Sequence, residues 1–251
     1  MKKVFTVATW NIGHFSMGRH KVSDFSDDAY ETEYAKFRDY IDRELNADIL
    51  SLNEYSALFT PSHPARELFK NYSAAAFEGS QMHYSCNALF SKLPLKTAAQ
   101  KEYECNKTAV ITHTKAIEAS DYYFIEAELP VGGEIVTVVA THLGFDDNRF
   151  PDTVCTDQID ELIARFADDK RVVMLADWNA YDFSYFDRFT KAGYTLGNTD
   201  PTLFTCIGSR TGKLEWPVDN IIVKGLSLSD FRAVPTSLSD HVAVVATITL
   251  E

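Results

Sequence analysis

Val172-Val173-Met174-Leu175-Ala176 followed by Asp177-Trp178-Asn179 is the stretch on which the reading of this chain turns. Five apolar residues in a row, two of them β-branched, read as a short buried strand. The run then stops abruptly on an acid, an indole and an amide. The same break recurs along the chain. Val7-Ala8-Thr9-Trp10 ends in Asn11, Ile49-Leu50-Ser51-Leu52 ends in Asn53-Glu54, and Val138-Val139-Ala140-Thr141 ends in His142. Asp219-Asn220 opens Ile221-Ile222-Val223, and Ser239-Asp240-His241 immediately precedes Val242–Ala246.

Working outward, strands are expected at 4–10, 49–53, 84–90, 109–112, 123–129, 134–141, 172–176, 218–223 and 242–250. In 123–129 apolar residues alternate with Phe124, Glu126 and Glu128, as in a sheet with one more polar face. Ile135–Ala140 and Val242–Ala246 are nearly uniformly apolar and read as buried on both sides. Two helices carry one apolar stripe each. Over 27–46 it is Tyr34, Phe37, Ile41 and Leu45; over 152–168 it is Ile159, Leu162, Ile163 and Phe166. Shorter helices are expected at 64–71 and 182–192. Many strands with a few one-sided helices fit two packed sheets with helices on their outer faces. Buried-looking strands near both ends, with no linker or repeat between them, point to one domain over 1–251.

The chain has 251 residues, 45% of them hydrophobic, enough to build a core without disulfides or structural metals. Its 24 basic and 36 acidic residues give a net charge of −12. A surface so acidic repels polyanions and offers no diffuse basic face for nucleic acid, so a phosphate-bearing substrate needs local neutralisation. No apolar run reaches the roughly 20 residues of a membrane helix. Lys2-Lys3 before the first apolar run resembles a signal peptide, but Thr6, Thr9 and Asn11 interrupt it and no small-residue cleavage site follows. A cytoplasmic location is the expectation, with secretion open if a leader was removed ahead of residue 1. Cys86, Cys105, Cys155 and Cys206 form no Cys-x-x-Cys pair and read as buried free thiols.

If the strand ends converge, they pool Glu54 with three further carboxylates (Asp177, Asp219, Asp240), the amides of Asn11 and Asn179, and the imidazoles of His142 and His241. Such a set holds hard oxygen ligands for a cation such as Mg²⁺ and groups that can move protons near neutral pH. No Ser or Cys nucleophile has an evident base partner, so direct attack by water is the economical chemistry. Singly, each residue has an ordinary structural explanation as a turn former, a cap or a solvated loop residue. Their joint occurrence in fixed order carries the reading.

Thr9-Trp10-Asn11-Ile12, Leu52-Asn53-Glu54, Asn87-Ala88-Leu89-Phe90-Ser91-Lys92, Thr141-His142-Leu143, Asp177-Trp178-Asn179, Asp219 and Ser239-Asp240-His241 together resemble the endonuclease/exonuclease/phosphatase superfamily. That group includes pancreatic-type deoxyribonucleases, abasic-site endonucleases, neutral sphingomyelinases and inositol polyphosphate phosphatases. The resemblance runs from residue 4 to residue 248. It implies an α+β fold, a four-layered αββα sandwich of two β-sheets flanked by helices. It also implies hydrolysis of a phosphate ester with a divalent cation, Mg²⁺ first and Mn²⁺ as its substitute. By the same resemblance Glu54 is the main metal ligand with Asn11 beside it and Asp240 near, and Asp177 orients or deprotonates the attacking water. Asn179 holds phosphate oxygens. His241 contacts the scissile phosphate and is oriented by Asp240. His142 is the second imidazole, with Asp219 near it. Asn87 is a substrate contact or a core amide.

Three positions depart from the pattern. Asn53 replaces the usual Gln and is one methylene shorter, Ala176 replaces Gly, and Cys86 replaces Gly. The substrate is less defined than the chemistry. Trp216-Pro217-Val218-Asp219 lacks the Cys and Arg of the inositol phosphatase signature. Glu54-Tyr55-Ser56-Ala57 lacks the Lys of abasic-site enzymes, and the acidic balance weighs against tight duplex DNA binding. No exposed apolar hairpin for membrane contact is evident. Arg19-His20-Lys21 is the one basic cluster that could meet a phosphate, with His14 and Arg149 as weaker candidates. A phosphodiesterase with nuclease-like activity is the first expectation. A hydrolase of a small or lipid-linked phosphate ester comes second, and a phosphate-binding protein without turnover third.

Overall fold

The computed structural model describes residues 3–13, 35–55, 71–77, 87–107, 109–111, 117–119, 122–144, 154–208 and 210–250. Residues 64–70 of the helix expected over 64–71, residues 27–34 and 152–153 of the two longer helices, residues 84–86 of an expected strand, and Arg19, His14 and Arg149 lie outside them. Two six-stranded sheets dominate. The first has the order β15 (Ser227–Val234), β16 (Ala243–Thr249), β1 (Val4–Asn11), β2 (Ile49–Asn53), β4 (Ala88–Ser91), β3 (Ala74–Phe77). The second has the order β11 (Thr195–Leu196), β14 (Asp219–Lys224), β10 (Val172–Asp177), β9 (Glu134–His142), β8 (Tyr123–Val131), β5 (Thr97–Glu102). Each sheet has one parallel pair at its centre, β1 with β2 and β9 with β10, and antiparallel pairing elsewhere.

Parallel neighbours need a crossover, which a helix on the outer face supplies. Helix α1, described over 35–45, lies between β1 and β2. Helix α2 (Val154–Arg165) lies between β9 and β10. Because side chains alternate along a strand, each central strand feeds two cores. Phe5, Val7, Ile49, Val173 and Leu175 meet between the sheets. Ala8, Trp10, Leu50 and Leu52 face the other way, onto Phe37, Ile41 and Leu45 of α1. On the second sheet Val172, Met174 and Ala176 pack against Ile159, Leu162 and Phe166 from α2 and the turn after it. Three cores between four layers make the αββα sandwich expected from the sequence. They also explain why the central strands read as unbroken apolar runs: both faces are dry.

Local chemistry sets the boundaries. Helix α1 ends in a π-helical turn, Ile41–Leu45, closed by a bond from Asn46 N to the Ile41 carbonyl at 2.8 Å. Asn46 sits at φ 41°, a left-handed conformation that asparagine tolerates better than most residues. The helix expected over 182–192 divides into a 3₁₀ turn, Phe183–Phe186, and α3, Asp187–Lys191, with the Asp182 carboxylate accepting from Ser184 N at the start. Of the run 135–140 expected to be dry on both sides, Ile135 is instead exposed, because it opens β9 beside the turn Gly132-Gly133. Among the described residues Cys105, Cys155 and Cys206 are free thiols. No described helix is long and apolar enough to cross a membrane.

Candidate active site

The two parallel pairs end side by side. Register places Asn11 opposite Asn53 in the first sheet, and Asp177 between His142 and Asp219 in the second. Face-to-face packing then brings both sets of carboxyl ends to one edge of the sandwich, where a cleft of about 940 Å³ opens. Glu54, His142, Asp177, Asn179, Asp240 and His241 line it, together with Asn11. Two of these residues adopt left-handed backbone without being glycine, Glu54 at φ 51° and Asn179 at φ 47°. Each follows a site strand, β2 or β10, almost immediately. Such conformations cost on the order of 1–3 kcal/mol and persist only where surrounding contacts impose them.

Asn53 supplies much of that imposition. Its Oδ1 accepts from Asp177 N at 2.9 Å and from Thr9 Oγ1 at 3.5 Å, and its Nδ2 donates to Asn87 Oδ1 at 2.6 Å and to the Thr141 carbonyl at 2.7 Å. One fully buried amide thereby ties β1 and β2 to β9 and β10. It is the short replacement for Gln noted in the sequence, and at this length it spans the gap between the sheets. Asn87 is buried at its back and donates to the Tyr123 carbonyl at 3.3 Å, away from the cleft lining. Asn53→Leu keeps the volume but strands three buried partners, Asp177 N, the Thr141 carbonyl and Asn87 Oδ1. At roughly 1–3 kcal/mol for each unsatisfied group, the variant is expected to lose at least about 3 kcal/mol in urea unfolding. A loss below about 1 kcal/mol would mean that the sheets dock without this clamp.

Asp177 is the hub. Its Oδ2 accepts from Asn11 Nδ2 at 2.9 Å and lies 3.4 Å from His142 Nε2 and 3.7 Å from His241 Nε2. Its Oδ1 accepts from Asn179 N at 2.9 Å. Burial pushes this carboxyl upward, but His241, His142 and the Asn11 and Asn179 donors outweigh it and hold the group below the usual carboxylate range. Asn179 Nδ2 donates to the Leu143 carbonyl at 2.7 Å and stands 3.0 Å from His142 Nε2. Asn11 Nδ2 also donates to Glu54 Oε1 at 3.2 Å, so one amide links the two carboxylates.

His241 pairs with Asp219 rather than with Asp240. The Nδ1–Oδ2 distance is 2.8 Å and both side chains are buried. This corrects two expectations, that Asp240 orients His241 and that Asp219 lies by His142. Strand order is the reason, since β10 separates β14 from β9 and Asp177 stands between Asp219 and His142. Asp240 instead reaches into the cleft as an exposed carboxylate, its Oδ1 accepting from Ser239 Oγ at 3.2 Å. The His241 segment is fastened by main-chain bonds, Val242 N to the Thr205 carbonyl and Ile207 N to that of Asp240, both 2.8 Å. Trp10 Nε1 donates to the His241 carbonyl at 3.0 Å. Burial alone would depress the imidazole, yet Asp219 and Asp177 raise it well above its ordinary value, while burial and Asp177 raise Asp219.

Helix α2 holds the other two loops. Gln158 Oε1 accepts from Gly144 N at 2.7 Å, just past His142, and Cys155 Sγ donates to the Trp178 carbonyl at 3.3 Å. Gly144 permits that approach: a Cβ there would collide with Val154 Cγ1. Neither Gln158 nor Thr205, whose Oγ1 accepts from Asp219 N at 3.0 Å, carried any signal in the sequence. Tyr181 and Trp216 also line the cleft.

Two donor sets could hold a cation. Asn11, Glu54 and Asp240 offer hard oxygens on one side of the cleft. Asp177, Asp219 and His241 offer ligand atoms within 4.8 Å of one another, although the Asp219–His241 bond occupies part of that set. The first set is itself linked by the Asn11–Glu54 bond, but it contains no imidazole, and its two carboxylates suit an oxygen-seeking divalent ion.

Residues 8–241 match the family described as Endonuclease/Exonuclease/phosphatase. Among solved structures, an endonuclease/exonuclease/phosphatase from Bacteroides vulgatus superposes with a TM-score of 0.74 at 16% identity, covering all of both chains. A humanized D. rerio TDP2 superposes at 0.68 with 11% identity, over 99% of this chain and 100% of the other. The human Nocturnin catalytic domain, solved with a bound sulfate anion, gives 0.66 at 17%, over 99% and 94%. No curated protein matches in sequence.

Proposed function

The chain belongs to the endonuclease/exonuclease/phosphatase family, and from that premise we propose that it hydrolyses phosphodiesters by direct attack of water, aided by a divalent cation. Members of the family are typically hydrolytic phosphoesterases. The observation that carries the reading is the bonding of Asp177, an ionised buried carboxylate held by Asn11 and by the Asn179 backbone, with an imidazole on either side. A binding protein has no use for such a proton acceptor.

In this mechanism Asp177 Oδ2 takes a proton from the water whose oxygen forms the new bond to phosphorus. The P–O bond to the leaving alcohol breaks, its oxygen takes up a proton from solvent, and Asp177 returns to the carboxylate by releasing to solvent the proton it accepted. His241, held cationic between Asp219 and Asp177, sits where it can stabilise the charge that develops on phosphate oxygens. Asn179 Nδ2 and His142 Nε2 form the neighbouring contact surface for those oxygens. Glu54 and Asp240, with Asn11 alongside, would hold Mg²⁺, or Mn²⁺ in its place. The ion would supply the positive charge that the acidic surface lacks.

Turnover of a panel of phosphodiesters and phosphomonoesters, DNA included, should require Mg²⁺ and fall at least about tenfold in EDTA, recovering when the metal is restored. Undiminished turnover in EDTA would remove the cation from the mechanism. No turnover on any substrate would favour a binding protein, and a preference for monoesters would favour a small phosphate ester.

A further inference from the structure

Helix α2 carries a buried amide that the mechanism above does not use. The inner stripe of the helix is otherwise apolar, with Cys155, Ile159 and Leu162 packed in the core beside the second sheet. Gln158 sits within that stripe and is 0% exposed. A polar group in such a place costs stability unless it is bonded. This one is bonded at one end only. Its Oε1 accepts from Gly144 N at 2.7 Å, while Nε2 is buried with no hydrogen-bond partner. Packing alone would favour leucine or methionine there, so what the glutamine contributes lies in its one bond.

That bond fixes the chain just past His142. Leu143 N donates to the Asp177 carbonyl at 3.1 Å, and the Leu143 carbonyl accepts from Asn179 Nδ2 at 2.7 Å. The same Nδ2 stands 3.0 Å from His142 Nε2. Residues 142–144 thus run as a strip between Asp177 and Asn179 on one side and α2 on the other. Gly144 is pressed onto the helix, with Val154 and the Tyr122 ring filling the place of a side chain. Gln158 itself is no part of the cleft lining. His241 is held from the far side of Asp177. Cys206, in the hairpin of β12 (Cys206–Ile207) and β13 (Leu214–Trp216), bridges to it, and Asp219 bonds its ring. The two imidazoles that flank Asp177 therefore have separate supports.

We propose that Gln158 is a positioning residue, holding His142 and Asn179 at the substrate phosphate through the Gly144 amide, from outside the cleft. The inference rests on the phosphodiesterase reading and deepens it, because it makes the docking of α2 a determinant of rate. Misplacing a contact to the transition state by about 1 Å costs on the order of 10²-fold in rate. Without the acceptor, the 142–144 strip loses its tie to α2. His142 and Asn179 then lose their common register against the charge that develops on phosphate oxygens.

Gln158→Met separates this role from packing. It strands Gly144 N but also removes the unpartnered Nε2, so the melting temperature should move by less than about 4 °C. On the best diester of the panel kcat should nonetheless fall about 10- to 100-fold, with KM changed by less than about threefold. Gln158→Glu, neutral when buried, keeps the acceptor and should stay within about fivefold of wild type. A readout free of turnover comes from the imidazole ring resonances, assigned by their loss in His142→Ala and in His241→Ala. In Gln158→Met the His142 signal should shift or split while that of His241 stays in place, and in Gln158→Glu neither should move. An unmoved His142 signal or an unchanged kcat in the methionine variant would overturn the proposal. So would movement of both rings with a parallel fall in melting temperature, which marks a role in packing alone. Gln158→Leu repeats the comparison should methionine disturb folding. If the wild type hydrolyses no substrate, the proposed reaction fails while the ring resonances still decide whether Gln158 positions His142.

Discussion

Asp177→Asn is expected to lower kcat by about 10³–10⁴ while KM moves by less than about tenfold. The amide keeps the carboxylate's shape and can still accept from Asn179 N, so the left-handed turn that follows is retained. What it loses is a base. In the wild type the His241 and His142 imidazoles and the donors Asn11 and Asn179 hold Asp177 ionised despite complete burial. Asparagine offers no comparable acceptor for the proton of water. Steady-state kinetics on the best diester of the panel, with circular dichroism to confirm folding, reads the effect. A variant that keeps more than a tenth of the wild-type kcat would transfer proton acceptance to another group.

His241→Ala is the second large effect, a fall of about 10²–10³ in kcat. It removes the cationic partner of developing charge and leaves Asp219 buried against Asp177 with nothing between them. A pH signature should accompany it. The folded-state value of His241 is raised above its unfolded one, so the stability it contributes is fully present below about pH 6.5 and fades as pH rises through the raised value. Thermal unfolding of metal-free wild type should show that decline above neutrality, and the alanine variant should lack it. An identical pH slope in both proteins would mean that the imidazole is not held protonated by Asp219 and Asp177.

How far the sequence reached can be traced through individual strands. β2, β8, β9, β10 and β16 were legible because they bury both faces or alternate cleanly, and their apolar runs end where the strands end, to within a residue or two. β5 and β15 were missed. They are edge strands, β5 is almost wholly exposed, and β15 carries a bulge near Asp230 with that residue left-handed. An edge strand needs only backbone bonds on one side, so its side chains are free to look like those of a loop. Among site residues, those at strand ends were legible because acids and amides stand out after five apolar neighbours. Their partners were not. The Asp219–His241 pair spans 22 residues and depends on how the β12–β13 hairpin is sewn to the chain around Asp240. The adjacency of Asp240 to His241 in sequence pointed to the wrong carboxylate. Asn53 was visible only as a departure from a pattern, and its role required knowing that the two sheets meet at its amide.

The clamp at Asn53 has a consequence for how the centre is built. Asn11, Asn53 and Glu54 come from one sheet and His142, Asp177, Asn179 and Asp219 from the other, so neither sheet holds a working half of the centre. Catalytic competence therefore belongs to the docked pair, joined through the apolar core between the sheets and the amide of Asn53 at its edge.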